Sequence, residues 1–337
     1  MDRQQFTRNA AKLNKKTLYT WLFLILVIIL LSLFTVYRQI STLGNSYLLT
    51  EQIERHEKVI NHRAGSPWQY RVLSAWLVEL SLPSPEIEHY SDKVLRTFFS
   101  LRIAQNSLIF LLAFLYFRQL GISDFWSFVG LGILGWTLSY SLYDSDLSLN
   151  TYFDVIFFLL GVLAFLKGHD WSIPLIMIFA SLNRETCILL PFLYLGYKQL
   201  GIPLTQLKPE PQTWIVFGSS VSIFLLTFIG LRVYFPSQAI IKPYGFYPGL
   251  ELFYFNLIHF RSYYNLFASF SIFPFLSLFN YSKWDNMLKA FFWILIPLWI
   301  TVHLFGGIIA ETRLFLVPFV LVIVPGVLVG HTYTFQE

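Results

Sequence analysis

The sequence predicts an all-α protein: a polytopic transmembrane helix bundle of about ten membrane elements, including a short helical hairpin, with surface helices in its first outer loop. Three observations lead there. Of 337 residues, 55% are hydrophobic and only 13% charged, with 35 Phe and a mean hydropathy of +0.58; soluble domains do not have this balance. Apolar runs approaching the roughly 20 residues that cross a bilayer recur along the chain. The charged residues collect in short stretches between those runs.

The elements follow in order. Arg3, Arg8, Lys12, Lys15 and Lys16 precede the first apolar run, so residues 1–16 are expected in the cytoplasm by the positive-inside bias. The run from Thr17 to Tyr37 exceeds the roughly 7–15 residues of a signal-peptide core and is expected to stay as an anchor. Residues 38–96 form the long first outer loop, with helical spacing in "SYLLTEQIERHEKVI" and "PWQYRVLSAWLVELSL". The second stretch carries Arg71 and Glu79 and is too short to span, so both read as helices along the membrane surface. Further spans are expected at Thr97 to Phe117, Phe125 to Tyr143 and Thr151 to Leu166. After the hairpin come Thr213 to Phe235, Ser262 to Tyr281, Met287 to Phe305 and Leu314 to Gly330, leaving a cytoplasmic tail at 331–337.

The segment "WSIPLIMIFASLNRETCILLPFLYLGY", residues 171–197, sets Asn183, Arg184, Glu185 and Thr186 between two apolar arms of about 17 Å each at 1.5 Å per residue. Neither arm spans alone. A single span would bury Arg184 and Glu185 midway, whereas a hairpin keeps the flanking Lys167 and Lys198 on one cytoplasmic side. The hairpin is the preferred reading, with Arg184 at its outer tip.

Under that topology the charged motifs that are not flanking anchors fall on one face. Ionisable groups at membrane depth cost a few kcal/mol each and persist where they pair, line a cavity or bind something charged. Arg184 and Glu185 are neighbours and point apart on a helix, so each needs another partner. For Arg184 this is a phosphate, which suits a forked guanidinium, or a carboxylate such as Asp154 or Glu311. In "YDSDLSLN", Asp144 and Asp146 are turn residues or site acids. Paired carboxylates leave a divalent cation open as a cofactor, but one needs further oxygen ligands and nothing fixes their number. Arg71 snorkels beside Trp68 and Tyr70 or contacts a lipid phosphate. Glu311 and Arg313, in "AETR", open the last span or join the site. The histidines show no metal spacing, and "NYS" at Asn280 falls on the expected cytoplasmic side.

The net charge of +5 sits in loops flanking apolar runs, so it orients the chain in the membrane and predicts no nucleic-acid partner. The single Cys187 excludes an intramolecular disulfide framework.

The order of parts resembles the GT-C fold membrane glycosyltransferases: a basic N-terminus, one span, a long first outer loop with two surface helices, then many spans with outer-face charges. "SPWQYRVLSAWL" looks like the segment that ends the first outer loop in bacterial members. "ASLNRETCILLPFLYL" is similar to their short hairpin with a basic tip, and "AETRLFLVPFVLV" to their closing helix. The resemblance implies an enzyme of the bacterial inner membrane, with cytoplasmic termini. It would transfer a sugar from a polyprenyl-phosphate donor to a glycan or lipid acceptor at the outer face, with membrane lipid as surroundings and the oligomeric state left open.

The family commonly places an acid just after the first span. Here "QISTLGNSYLLTEQIE" offers Asn45 early and Glu51 and Glu54 later, so Glu51, Glu54, Asp144 and Asp146 are the candidate bases. Arg71, Arg184 and Arg313 are the candidate holders of the leaving lipid phosphate, with Glu185, Asp154 and Glu311 beside them. A transporter or lipid flippase is the alternative, although only one broken segment is visible and no matching second half. A non-catalytic partner in polysaccharide assembly is the other.

Overall fold

The computed structural model describes residues 3–82, 90–143, 146–200, 210–235 and 239–332. They are helical throughout, with no strand among them; two extended segments meet in one bridge, Ser66 with Ile240. Five helical stretches are long and apolar enough to cross a membrane: Thr17–Leu43, Tyr90–Gln119, Pro211–Tyr234, Asn286–Gly306 and Thr312–Val329. The others expected as membrane elements are shorter, so the described residues form an all-helical bundle in which five helices, and not about ten elements, have the length and composition of full spans.

Helix α1 (Arg3–Leu43) packs on α5 (Tyr90–Gln119) and α6 (Asp124–Tyr140). It continues six residues past the expected end at Tyr37 and stops at Gly44, whose φ of 81° favours glycine. Between α1 and α5 come a helical turn α2 (Asn45–Tyr47), a π turn, α3 (Ile53–Ile60) and α4 (Val72–Ser81). These two amphipathic segments fold onto the bundle end: Leu48 and Val78 join Val94, Phe98, Leu142, Leu147 and Leu149 in a small second core. They therefore roof the end where the polar motifs collect.

The main core is built by α5, α6, α7 (Asn150–Leu166), α9 (Leu189–Lys198), α14 (Asn286–Gly306) and the last span. That last span runs through a 3-10 turn, α15 (Leu316–Pro318), a π turn and α16 (Val324–Thr332). It is 89% buried within the bundle, against 17% for α10 (Pro211–Tyr234), so the closing helix is the axis and α10 is a wall. Close approach relies on small residues, as is usual between membrane helices. A Cβ at Gly161 would stand 2.6 Å from Leu190, and one at Gly130 would stand 2.7 Å from Phe117.

Residues 171–197 form a hairpin. Helix α8 (Ser172–Ser181) and α9 are joined by a turn and a 3-10 segment, Glu185–Ile188. Its two ends are tied together: Lys198 Nζ lies 2.8 Å from Asp170 Oδ2, and the Tyr194 hydroxyl donates to the same carboxylate. Arg184 and Glu185 are thereby held at the opposite, roofed end.

The expected span from Ser262 to Tyr281 is a correction. The chain there forms α11 (Leu250–Ile258), α12 (Phe260–Phe270) and α13 (Phe273–Phe279). The break between the last two falls at Ser271, in the left-handed region with φ of 51°. Pro274 follows in the first turn of α13, where its missing N–H costs nothing.

Candidate functional site

The site lies where the loop after α6, the hairpin tip and the start of the last span meet under α3 and α4. Its anchor is Asp146, 1% exposed. Arg55 Nη1, from α3, reaches Asp146 Oδ2 at 2.5 Å. Arg313 grips the other oxygen in a short contact and donates to the Asp146 carbonyl at 3.0 Å. Burial works against the Asp146 carboxylate, yet the Arg313 and Arg55 guanidiniums outweigh it and hold its pKa below the usual aspartate value. Arg313 Nη2 donates to Glu311 Oε2 at 3.1 Å. For Glu311 the balance is reversed: burial dominates and raises its pKa against the pull of Arg313. The Tyr47 hydroxyl is pushed up to about 12 by burial and by Asp146. The loop is pinned from below by Arg102, which is wholly buried, stacks 3.4 Å over the Tyr152 ring and donates to the Ser148 carbonyl.

Around this anchor is a chamber of about 410 Å³. Arg55, Arg261, Arg313 and Glu311 bring charge to its wall, and Tyr47, Trp68, Tyr143 and Tyr244 bring rings. Arg55 and Trp68 also border a narrow extension reaching His56, Arg71, Ser74 and Asn150. On the other side, α12, α13, α14 and the last span enclose an apolar groove of about 680 Å³. Chamber and groove have no lining residue in common, but three segments contribute to both. Arg261, Glu311 and Arg313 face the chamber while Tyr263, Ile309 and Phe315, each two residues away, face the groove.

The hairpin tip forms a second, mostly buried cluster. Arg184 sits 3.4 Å from Asp154 and donates to Thr151 Oγ1 at 3.1 Å. Asn183 and Thr186 donate to the two Asp154 oxygens at 2.8 and 2.6 Å. Asp154 is thus the carboxylate beside Arg184. Glu185 turns the other way, accepting from Arg71 at 3.0 Å and from Arg232 at 3.5 Å. Arg71 thus connects this cluster to the chamber's extension.

Of the expected site residues, Glu311 and Arg313 line the chamber, and Asp146, in the wall of the narrow extension, holds Arg313 from behind. Asp154, Arg184, Glu185 and Arg71 form the adjoining cluster. Asp144 lies outside the described residues. Glu51 and Glu54 are exposed; Glu54 pairs with Lys58 at 2.7 Å, and neither lines the chamber. Arg55 and Arg261 were not anticipated. Arg55 is concealed in an ordinary amphipathic repeat, whereas Arg261 carries a signal, a lone cation in the aromatic string "HFRSYY". Among the described residues no group of three or more His, Cys, Asp or Glu side chains is placed to hold a metal ion. His303 is a packed histidine, stacked on Trp299 with centroids 5.4 Å apart.

Comparison with protein-family models, with characterised proteins and with solved structures finds no match to this chain.

Proposed function

We propose that this chain is a membrane glycosyltransferase of the GT-C type, transferring a sugar from a polyprenyl-phosphate donor to an envelope glycan or lipid acceptor. The observation that carries the reading is that the cationic chamber and the long apolar groove take their walls from the same three segments, through Arg261 and Tyr263, Ile309 and Glu311, and Arg313 and Phe315. An amphiphile with an anionic head and an extended hydrocarbon tail matches both halves at once. A soluble substrate has no use for the groove.

The chemistry assigns a role to each charge. Glu311 is the base: it lines the chamber, and its raised pKa gives it more affinity for a proton than Asp146 has. It takes the proton of the acceptor hydroxyl as that oxygen bonds to the anomeric carbon. The bond from the anomeric carbon to the donor phosphate oxygen breaks, and the electron pair leaves with the lipid phosphate. Arg313, Arg55 and Arg261 face that phosphate, and in a water-poor site such fixed charges stabilise developing anion strongly. Asp146 acts through the two arginines it orients. The aromatic wall, Trp68 with Tyr143 and Tyr244, offers flat faces for a sugar ring. Short connections bearing Arg118, Lys167 and Lys198 at the other end favour a cytoplasmic side there, which supports an outer-face position for the chamber.

The test is direct. Purified protein given a radiolabelled polyprenyl-phosphate hexose and an extract of envelope acceptors should release free lipid phosphate and labelled product, and Glu311→Gln should not. Lipid movement across a vesicle bilayer without sugar release would identify a transporter instead.

A further inference from the structure

A second concavity, of about 410 Å³, lies between α4, the end of α8 and α10. None of its lining residues belongs to the chamber or to the apolar groove. It opens sideways: Trp76 and Tyr234 on its wall are 45% and 76% exposed.

The elements that wall it also carry charge close to the lining residues in the chain. Arg71 immediately precedes α4, Glu185 follows Leu182 by three residues, and Arg232 adjoins Leu231. Glu185 accepts from both guanidiniums, so two cations share one anion and an excess positive charge remains. The three side chains are 17%, 30% and 32% exposed. Nearby Arg184 is matched by Asp154 and adds nothing to the excess. Arg232 is held in place by the Phe228 and Tyr70 rings, 3.4 and 4.4 Å from its guanidinium carbon.

We propose that this concavity binds an anionic phospholipid, with acyl chain along Leu231 and Tyr234 and phosphate on Arg232 and Arg71. The argument is charge complementarity at the edge of an apolar strip. Guanidinium pairs well with phosphate oxygens, and a zwitterionic head would bring its own cation to the same spot. A second copy of the chain is disfavoured as occupant, because a two-fold contact sets each surface against itself and would oppose two like-charged clusters. The site stands on its own geometry and does not depend on the reaction carried out at the chamber.

The experiment is photolabelling of the full chain in phosphatidylcholine bilayers containing a minority of phosphatidylglycerol. One sample carries a diazirine acyl probe on phosphatidylglycerol and the other the same probe on phosphatidylcholine. The expected result is saturable labelling of the C-terminal half of α10 by the phosphatidylglycerol probe, competed by unlabelled phosphatidylglycerol alone. Arg232→Ala should weaken that competition about fivefold, the effect of one basic residue near an anionic lipid. Leu231→Trp, which fills the concavity and leaves the charges, should abolish labelling. Glu185→Gln should tighten binding by releasing both arginines. Equal labelling by the two probes would overturn the proposal, because it is ordinary contact with bulk lipid. Unchanged labelling in folded, monodisperse Arg232→Ala and Leu231→Trp would overturn it as well. Absence of labelling together with copy-to-copy crosslinking through Leu231→Cys would do so by giving the surface to a second chain.

Discussion

Asp146 and Arg313 stand 167 positions apart in the chain and meet as a buried ion pair, 1% and 3% exposed, where the loop after α6 touches the start of the last span. This pair sets the chamber wall. Arg313 also takes the Ser141 carbonyl through its backbone N–H at 3.0 Å and Glu311 through its second guanidinium nitrogen. One residue therefore, through backbone and side chain together, fixes the register of two loops and the position of the proposed base.

Removing one member of such a pair strands the other in a poorly solvated site. Arg313→Ala is expected to destabilise the protein by about 3–5 kcal/mol, seen as a lower midpoint of thermal unfolding in detergent. Arg55→Ala removes a partner that is 46% exposed, and its stability cost should be no more than about 1 kcal/mol. Equal losses in the two variants would contradict the assignment of Arg313 as the structural partner of Asp146.

The depressed pKa of Asp146 makes its contribution depend on pH with a definite sign. Its stabilisation is complete above the unfolded aspartate value, about 3.9, and is lost as pH falls through the lower folded value. Wild type should therefore exceed Asp146→Asn in unfolding midpoint at neutral pH, and the gap should close only below about pH 4. A gap that closes near pH 6 would mean the carboxylate is not held down by the arginines.

Glu311 carries the opposite shift, raised mainly by burial. As a base it works when deprotonated, so sugar transfer should fall on acidification through a pKa above the ordinary glutamate value of about 4.3. Glu311→Gln should lower turnover by about 10²–10⁴-fold while leaving the unfolding midpoint close to wild type. Full activity in this variant would move the base elsewhere, with Asp144 the next residue to test.

The groove can be challenged without touching charge. Ile300 lies on its wall and is 43% exposed. Ile300→Trp should narrow the groove and raise KM for the polyprenyl donor about tenfold, a loss of about 1.4 kcal/mol in binding, with kcat little changed. A short-tailed donor analogue should feel much less of the effect.

Hairpin orientation is open to labelling because the only cysteine, Cys187, is 1% exposed. Glu185→Cys and Lys198→Cys should react with an impermeant maleimide from opposite sides of sealed vesicles. Reaction of both from the same side would rule out a hairpin that crosses most of the bilayer.

Much of the architecture was legible before any coordinates, since hydrocarbon thickness and the cost of unpaired backbone groups leave few solutions for a chain this apolar. The apolar runs marked α10, α14 and the last span to within two residues and the apolar middles of α1 and α5, whose polar ends extend further, and the two short arms around "NRET" marked the hairpin. Missed was the break at Ser271, where average hydropathy runs on unchanged through Pro274 and the local backbone decides.

The sequence by itself determined that this is a helical membrane protein whose charges gather in a handful of short motifs. Only the tertiary structure decided how those charges divide. Arg184 spends its charge on Asp154 inside the hairpin tip, while Arg55, inconspicuous in the chain, and Arg261 line the chamber beside Arg313. The physical reason is that pairing between charges falls off within a few ångströms. Partners 30 or 167 positions apart are chosen by helix packing, which no local pattern records.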